Sequence, residues 1–138
     1  MDRPAEAKFH FEITVREEDI DELDHANNLV YLKWSLKAAV AHSSHVGWTP
    51  ERYRELGAGF VVRSHSIKYK RPARLGDCLT VVTWVDNMLR VSSLRKYEIR
   101  LGSRLLALAE TNWAFVEFET QKLRPIPAEI VNSFVVSR

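Results

Sequence analysis

Between about Asn28 and Val46, apolar side chains occupy most of the circumference of what reads as one long helix. Leu29, Leu32, Leu36, Ala39 and Val46 recur at steps of three, four and seven, and Tyr31, Trp34, Ala38 and Ala41 widen that stripe. A helix this apolar cannot stand in water and must be largely covered by something else in the fold. Asn27 or Asn28 suits its N-cap, with a side-chain oxygen able to accept from first-turn amides, and Gly47 suits its end. What the rest of the chain forms is therefore the cover.

That cover reads as strands. Phe9, Phe11, Ile13 and Val15 alternate with polar residues, as a half-buried strand does. After the helix, Thr49-Pro50-Glu51 supplies a cap, a first-turn proline and a dipole-facing acid for a short helix to about Leu56, ended by Gly57 and Gly59. Strand character follows at about 59–70, 78–87, 90–101 and 104–118, with turn chemistry at Asp86-Asn87 and at Leu101-Gly102-Ser103. The last run, LLALAETNWAFVEF, is apolar on both parities and is expected at the sheet centre. Pro125 and Pro127 frame a closing turn, and Ile130 to Val135 read as a short terminal helix. The order predicts an α+β domain in which a twisted antiparallel sheet curls around the long helix.

Bulk properties narrow the function classes. At 138 residues the chain makes a single domain, 1–138, with short tails. Its formal net charge of +2 is too small to argue for a nucleic-acid partner. Cys78 is the one cysteine, which excludes an internal disulfide and a cysteine-built zinc site, and a reducing, cytoplasmic setting is expected. The N-terminus lacks a basic start followed by an apolar run, so no signal peptide is expected, and no stretch is long enough to span a bilayer.

Just before the helix, REEDIDELDHANNLVY (16–31) packs Asp19, Asp21, Asp24 and His25 into seven positions. Like charges repel there, and burying a carboxylate is unfavourable unless something pairs or uses it. Asp21, ionised at neutral pH, can attack a carbonyl or take a proton from water. Helix-start amides near Asn27–Leu29 carry the positive end of the macrodipole and suit a developing oxyanion. Asp19 reads as a turn former accepting backbone amides. His25 can orient Asp21, bind a carbonyl oxygen or satisfy loop backbone, and the residues leave these open.

The pattern Asp-x-Asp-x-x-x-His-x-Asn-Asn-x-x-Tyr, together with Ile67-Lys68-Tyr69 and Arg71-Pro72-Ala73-Arg74-Leu75-Gly76-Asp77, resembles the hotdog-fold acyl thioesterases, in the branch of hydroxybenzoyl-CoA thioesterase and related acyl-CoA and acyl-ACP hydrolases. The resemblance covers nearly the whole chain. It implies a hotdog fold and hydrolysis of aromatic or fatty acyl thioesters to free acid and CoA. By it, Asp21 corresponds to the nucleophile or general base, His25 to a frequent family histidine, and Asn27 and Asn28 to the helix start whose amides meet the thioester oxygen. The chain departs from the pattern twice. Asp24 stands where a glycine is common, at a place where φ > 0 is expected, and the central helix carries no acid.

The resemblance also implies an assembly, a homodimer extending to a homotetramer, in which a partner chain faces Asp21, with 60–70 the first candidate stretch. No cofactor or metal is implied; coenzyme A is part of the substrate. Tyr31, Arg63, His65, Arg71 and Arg74 are the candidate substrate-binding residues. The cations of RSHSIKYKRPAR (63–74) suit CoA phosphates or an acidic carrier protein, or else a solvated edge whose lysines discourage aggregation. One aromatic, Tyr69, gives that run no stacking platform for nucleic acid. An acyl-ACP thioesterase and a non-hydrolytic acyl-binding hotdog protein are the alternative functions.

Three features remain outside that frame. His42-x-x-His45 has ligand spacing on the helix but reads as surface or packing. Cys78 reads as a small buried apolar residue. Trp34, Trp48, Phe60 and Trp113 line an acyl pocket or simply fill the core.

Overall fold

A computed structural model describes residues 7–137; residues 1–6 and Arg138, the ends of the expected tails, lie outside the described residues. Five strands, β1 (Phe9–Thr14), β2 (Ala58–Tyr69), β3 (Cys78–Met88), β4 (Ser92–Leu101) and β5 (Arg104–Glu117), form one antiparallel sheet in the order β1-β3-β4-β5-β2. The long helix α1 (Asn28–His45) lies against β1 and β3, and the short helices α2 (Pro50–Leu56) and α3 (Ala128–Val131) close the other end. This curved sheet around a long helix is the hotdog fold. No helix among the described residues is long and apolar enough to cross a membrane.

Local chemistry explains the boundaries. Asn27 caps α1, its side chain accepting from Leu29 N at 2.9 Å. Thr49 caps α2 through Arg52 N at 3.2 Å, with Pro50 in the first turn and Gly57 ending the helix at φ 77°. Register shifts leave Arg63, Asp86 and Leu106 as extra residues and bend β2, β3 and β5.

The core has two halves. One joins Tyr31, Trp34 and Ala38 of α1 to Leu79, Val81, Tyr97, Ile99 and Leu106 of the sheet. The other gathers Trp48, Ala58, Val85, Phe115, Ile126, Ile130 and Phe134.

Four expectations need correction. The face of α1 that enters the sheet is Tyr31, Trp34, Ser35, Ala38, Ala39 and His42. The leucine stripe turns the other way: Leu29 is 76% exposed, Val40 49%, and Leu32 and Leu36 are half-covered. Small residues explain the choice, since Ser35 and Ala38, both fully buried, let the sheet approach where leucines would hold it off.

Second, β4 is the middle strand and β5 stands beside the edge. The double-sided apolarity of β5 reflects its end instead. Ala114, Phe115 and Val116 are buried in succession where the chain folds back, Glu117 N donating to Lys122 O and Arg124 N to Phe115 O. Third, α3 spans Ala128–Val131 rather than Ile130 to Val135, because Pro127 starts it early and Val136 then pairs with Val85. Fourth, Cys78 is exposed. It opens β3 opposite Thr14, and the two-residue period that buries Leu79 turns Cys78 to the outer face.

Candidate functional site

Two loops meet at the front of α1. Residues 15–27 lead into the helix, and residues 70–77 connect β2 to β3. Val15 N donates to Asp77 O, Gly76 N to Val15 O, and Ala26 N to Ala73 O, so the two sequence motifs lock together through backbone. Tyr31 completes the junction. Its hydroxyl accepts the Ala73 N–H at 3.0 Å, and its ring, 2% exposed, packs on Trp34 and edge-on against Tyr69. Burial pushes the Tyr31 phenol up, with the Ala73 bond pulling partly back.

Within the first loop, Asp19 holds a single 3₁₀ turn, its Oδ2 accepting from Arg16 N at 2.9 Å. Asp21 sits at the tip, half-buried. Its Oδ1 accepts from Leu23 N at 2.9 Å and, more weakly, from His25 N at 3.4 Å, while Oδ2 accepts no bond among the described residues. Nor does any cation pair with it there, Arg16 included. The carboxylate is thus fixed by one oxygen and presented by the other. Asp24 adopts φ 61°, a left-handed conformation that a glycine would take without strain.

His25 and Asp21 are joined by main chain, Asp21 N donating to His25 O at 2.8 Å. The His25 imidazole is half-buried and makes no hydrogen bond among the described residues. Of the three helix-start amides, Asn27 N donates to Asp19 O at 2.7 Å and Leu29 N to the Asn27 side chain. The Asn28 N–H alone has no protein acceptor among the described residues, while its carbonyl accepts from the Tyr69 hydroxyl at 3.1 Å. The loop thus carries a free carboxylate oxygen at its tip, and the helix it leads into begins with an amide that has donor capacity to spare.

The basic candidates divide. Arg63, Arg71 and Arg74 are exposed, and no carboxylate pairs with them among the described residues. Arg74 N, but not its guanidinium, is tied down, donating to Asp77 Oδ2 at 2.9 Å. His65 turns inward instead. Its Nδ1 lies 2.6 Å from Thr111 Oγ1, its Nε2 is sealed without a partner, and burial lowers its pKa.

A second polar cluster lies outside both motifs. Arg95, on β4, is 6% exposed and donates through Nη1 to Thr83 Oγ1 at 3.1 Å and to His42 Nδ1 at 2.8 Å. Burial and the neighbouring cation push the His42 imidazole down to about 3, so at neutral pH it accepts this bond as the neutral ring. Sequence reasoning passed over Arg95. The signal was present: it shares its strand parity with Tyr97 and Ile99, both core residues, so its side chain must point inward.

Comparison with known proteins agrees with the fold. The family model of the Thioesterase-like superfamily matches residues 15–134, and the chain belongs to this family of thioester hydrolases. No curated protein sequence matches the chain. Among solved structures, a 1,4-dihydroxy-2-naphthoyl-CoA thioesterase from Synechocystis is 22% identical with a TM-score of 0.84, covering 91% of this chain and 94% of that one. A DHNA-CoA thioesterase from Staphylococcus aureus is 24% identical with a TM-score of 0.81, covering 88% and 81%. A gentisyl-coenzyme A thioesterase is 18% identical with a TM-score of 0.80, covering 91% and 98%.

Proposed function

We propose that the protein hydrolyses acyl-CoA thioesters to the free acid and CoA, with Asp21 as the reacting carboxylate. The observation that carries this reading is an Asp21 carboxylate anchored by Leu23 N and free at Oδ2, on the loop that leads into a helix whose Asn28 amide is uncommitted. The ionised carboxylate takes a proton from water that attacks the thioester carbonyl, or attacks that carbon itself to give an anhydride that water then opens. In either route the carbonyl oxygen gains negative charge. The Asn28 N–H, backed by the helix dipole, stabilises it as the C–S bond breaks; CoA leaves as the thiolate, taking the proton held by Asp21 in the first route and one from solvent water in the second.

Arg63, Arg71 and Arg74 supply exposed cations for the phosphates of CoA. The same cations would serve an acidic carrier protein, which is the acyl-ACP alternative. His25 stands four residues after Asp21 with its imidazole unengaged, free to meet the carbonyl oxygen or the attacking water.

The assembly proposal rests on β2. Its outer edge pairs with no strand among the described residues over twelve residues, and Val61 and Val62 on it are 37% and 43% exposed. So long an unpaired edge, with exposed valines on it, is stable in water when another strand covers it, and a second copy of the same strand does so by symmetry.

Free-thiol release from a panel of aryl-CoA and aliphatic acyl-CoA thioesters tests the reading. Turnover on at least one class is expected. Turnover on acyl-ACP alone would move the reading to the carrier-protein alternative. Tight acyl-CoA binding with no thiol release on either carrier would make the chain a non-hydrolytic binding protein.

A further inference from the structure

Beneath the C-terminal half of α1 lies a cavity of about 210 Å³, walled by Trp48, Tyr53, Phe60, Trp113 and Phe134. Val40 and Pro50, both exposed, stand at its rim. Its lining on α1 begins at Ala39, eleven residues beyond Asn28, which places it about 17 Å along the helix at 1.5 Å per residue. Within one chain it is therefore a site separate from the Asp21 loop.

Arg95 is the charged residue in this apolar wall. Its Nη1 is fully used by Thr83 and His42, both neutral partners. No carboxylate pairs with it among the described residues. Nε and Nη2 donate to no protein acceptor there, yet they are not sealed in, since the enclosed unpartnered side-chain atoms are His65 Nε2 and Tyr97 Oη. Arg95 itself lines the cavity. A clamp between helix and sheet needs Nη1 alone, and a neutral donor would serve it without the cost of burying an uncompensated cation.

We propose that this cavity binds a free monocarboxylic acid with a small apolar body, its carboxylate resting side-on against Nε and Nη2 of Arg95. That edge of a guanidinium matches a carboxylate with two parallel hydrogen bonds. Size agrees: a cavity of about 150 Å³ holds benzene, so this one takes a single aromatic ring or a short aliphatic chain. One cation in an apolar wall suits a monoanion. A phosphate dianion would remain half-compensated and would leave the aromatic wall unused.

The test is binding, not turnover, so its failure leaves the hydrolase reading untouched and the reverse also holds. Amide-resolved NMR of the whole chain is titrated with benzoate and hexanoate, and separately with benzamide, hexanamide and sulfate. Saturable shifts of the Trp48 and Trp113 indole N–H signals are expected with the acids, with Trp84, outside the cavity, unmoved. Binding at least tenfold weaker is expected for the amides and for sulfate. Arg95→Met should abolish the shifts. If that variant does not fold, Ala39→Leu, which fills the cavity from the helix side, should abolish them instead. No saturable shift with either acid, equal binding of acid and amide, or sulfate bound as tightly as benzoate would each overturn the proposal.

Discussion

Tyr31 accepts the Ala73 backbone N–H at 3.0 Å, a hydrogen bond between the first turn of the central helix and the loop that joins β2 to β3. Both residues are buried, Ala73 completely. The bond therefore fixes the helix start, where the Asp21 loop ends, relative to the basic loop.

Removing that hydroxyl leaves a buried amide without an acceptor. Tyr31→Phe should destabilise the fold by about 1–3 kcal/mol. Urea unfolding measures it. A change below about 0.5 kcal/mol would mean the amide finds another partner and the junction is not held here.

The Asn28 amide can be deleted without unmaking the helix. Asn27 has φ −59° and ψ 135°, a conformation that suits the residue before proline, and the first helical position tolerates proline well. Asn28→Pro should keep its melting temperature while kcat for thioester hydrolysis falls by about 10²–10³, the usual cost of losing an oxyanion donor. Full kcat in a folded variant would assign the oxyanion to another donor.

The two faces of α1 should respond oppositely. Ala38→Leu inserts three carbons where nothing is exposed and should cost about 1–3 kcal/mol. Leu29→Lys, at a position 76% exposed, should change the stability of the chain by less than about 0.5 kcal/mol. Equal costs would restore the leucine stripe to the core.

Acid should weaken the fold through His42. Its folded pKa, about 3, lies below the ordinary 6.5, so the unfolded chain binds the proton first. Stability is complete above pH 6.5, falls as the pH drops below that value and levels off near 3. From pH 6.5 to 5 the single group accounts for about 2 kcal/mol. His65, lowered by burial, adds a loss of the same sign. His42→Gln, which keeps an acceptor for Arg95, should flatten the pH dependence of urea unfolding between pH 7 and 5; an unchanged slope would contradict it.

Much of this fold is legible in the residues themselves. Alternation in Phe9–Val15 and turn chemistry at Leu101-Gly102-Ser103 place strands to within a residue or two, and caps at Asn27 and Thr49 place the helices. The face of α1 was not legible from spacing. Leu29-Leu32-Leu36 and Tyr31-Trp34-Ala38 obey the same period, and periodicity cannot say which stripe a sheet will choose. The deciding factor, close approach over Ser35 and Ala38, is a property of the packed pair. Strand order is equally non-local, so β4 rather than β5 takes the middle of the sheet. At the site, the Asp21 loop was legible because its chemistry is continuous in sequence. The Arg95 cluster was not, because His42, Thr83 and Arg95 come from three elements.

The most direct measurement is kcat for free-thiol release by Asp21→Asn beside the unaltered protein, on whichever acyl-CoA the latter cleaves. Asparagine keeps the Oδ1 acceptor for Leu23 N and removes the charge, so the loop and the melting temperature should hold. A fall in kcat of about 10²–10⁴ is the predicted result. A folded Asp21→Asn enzyme that turns over at the original rate would contradict the account and take the chemistry away from Asp21.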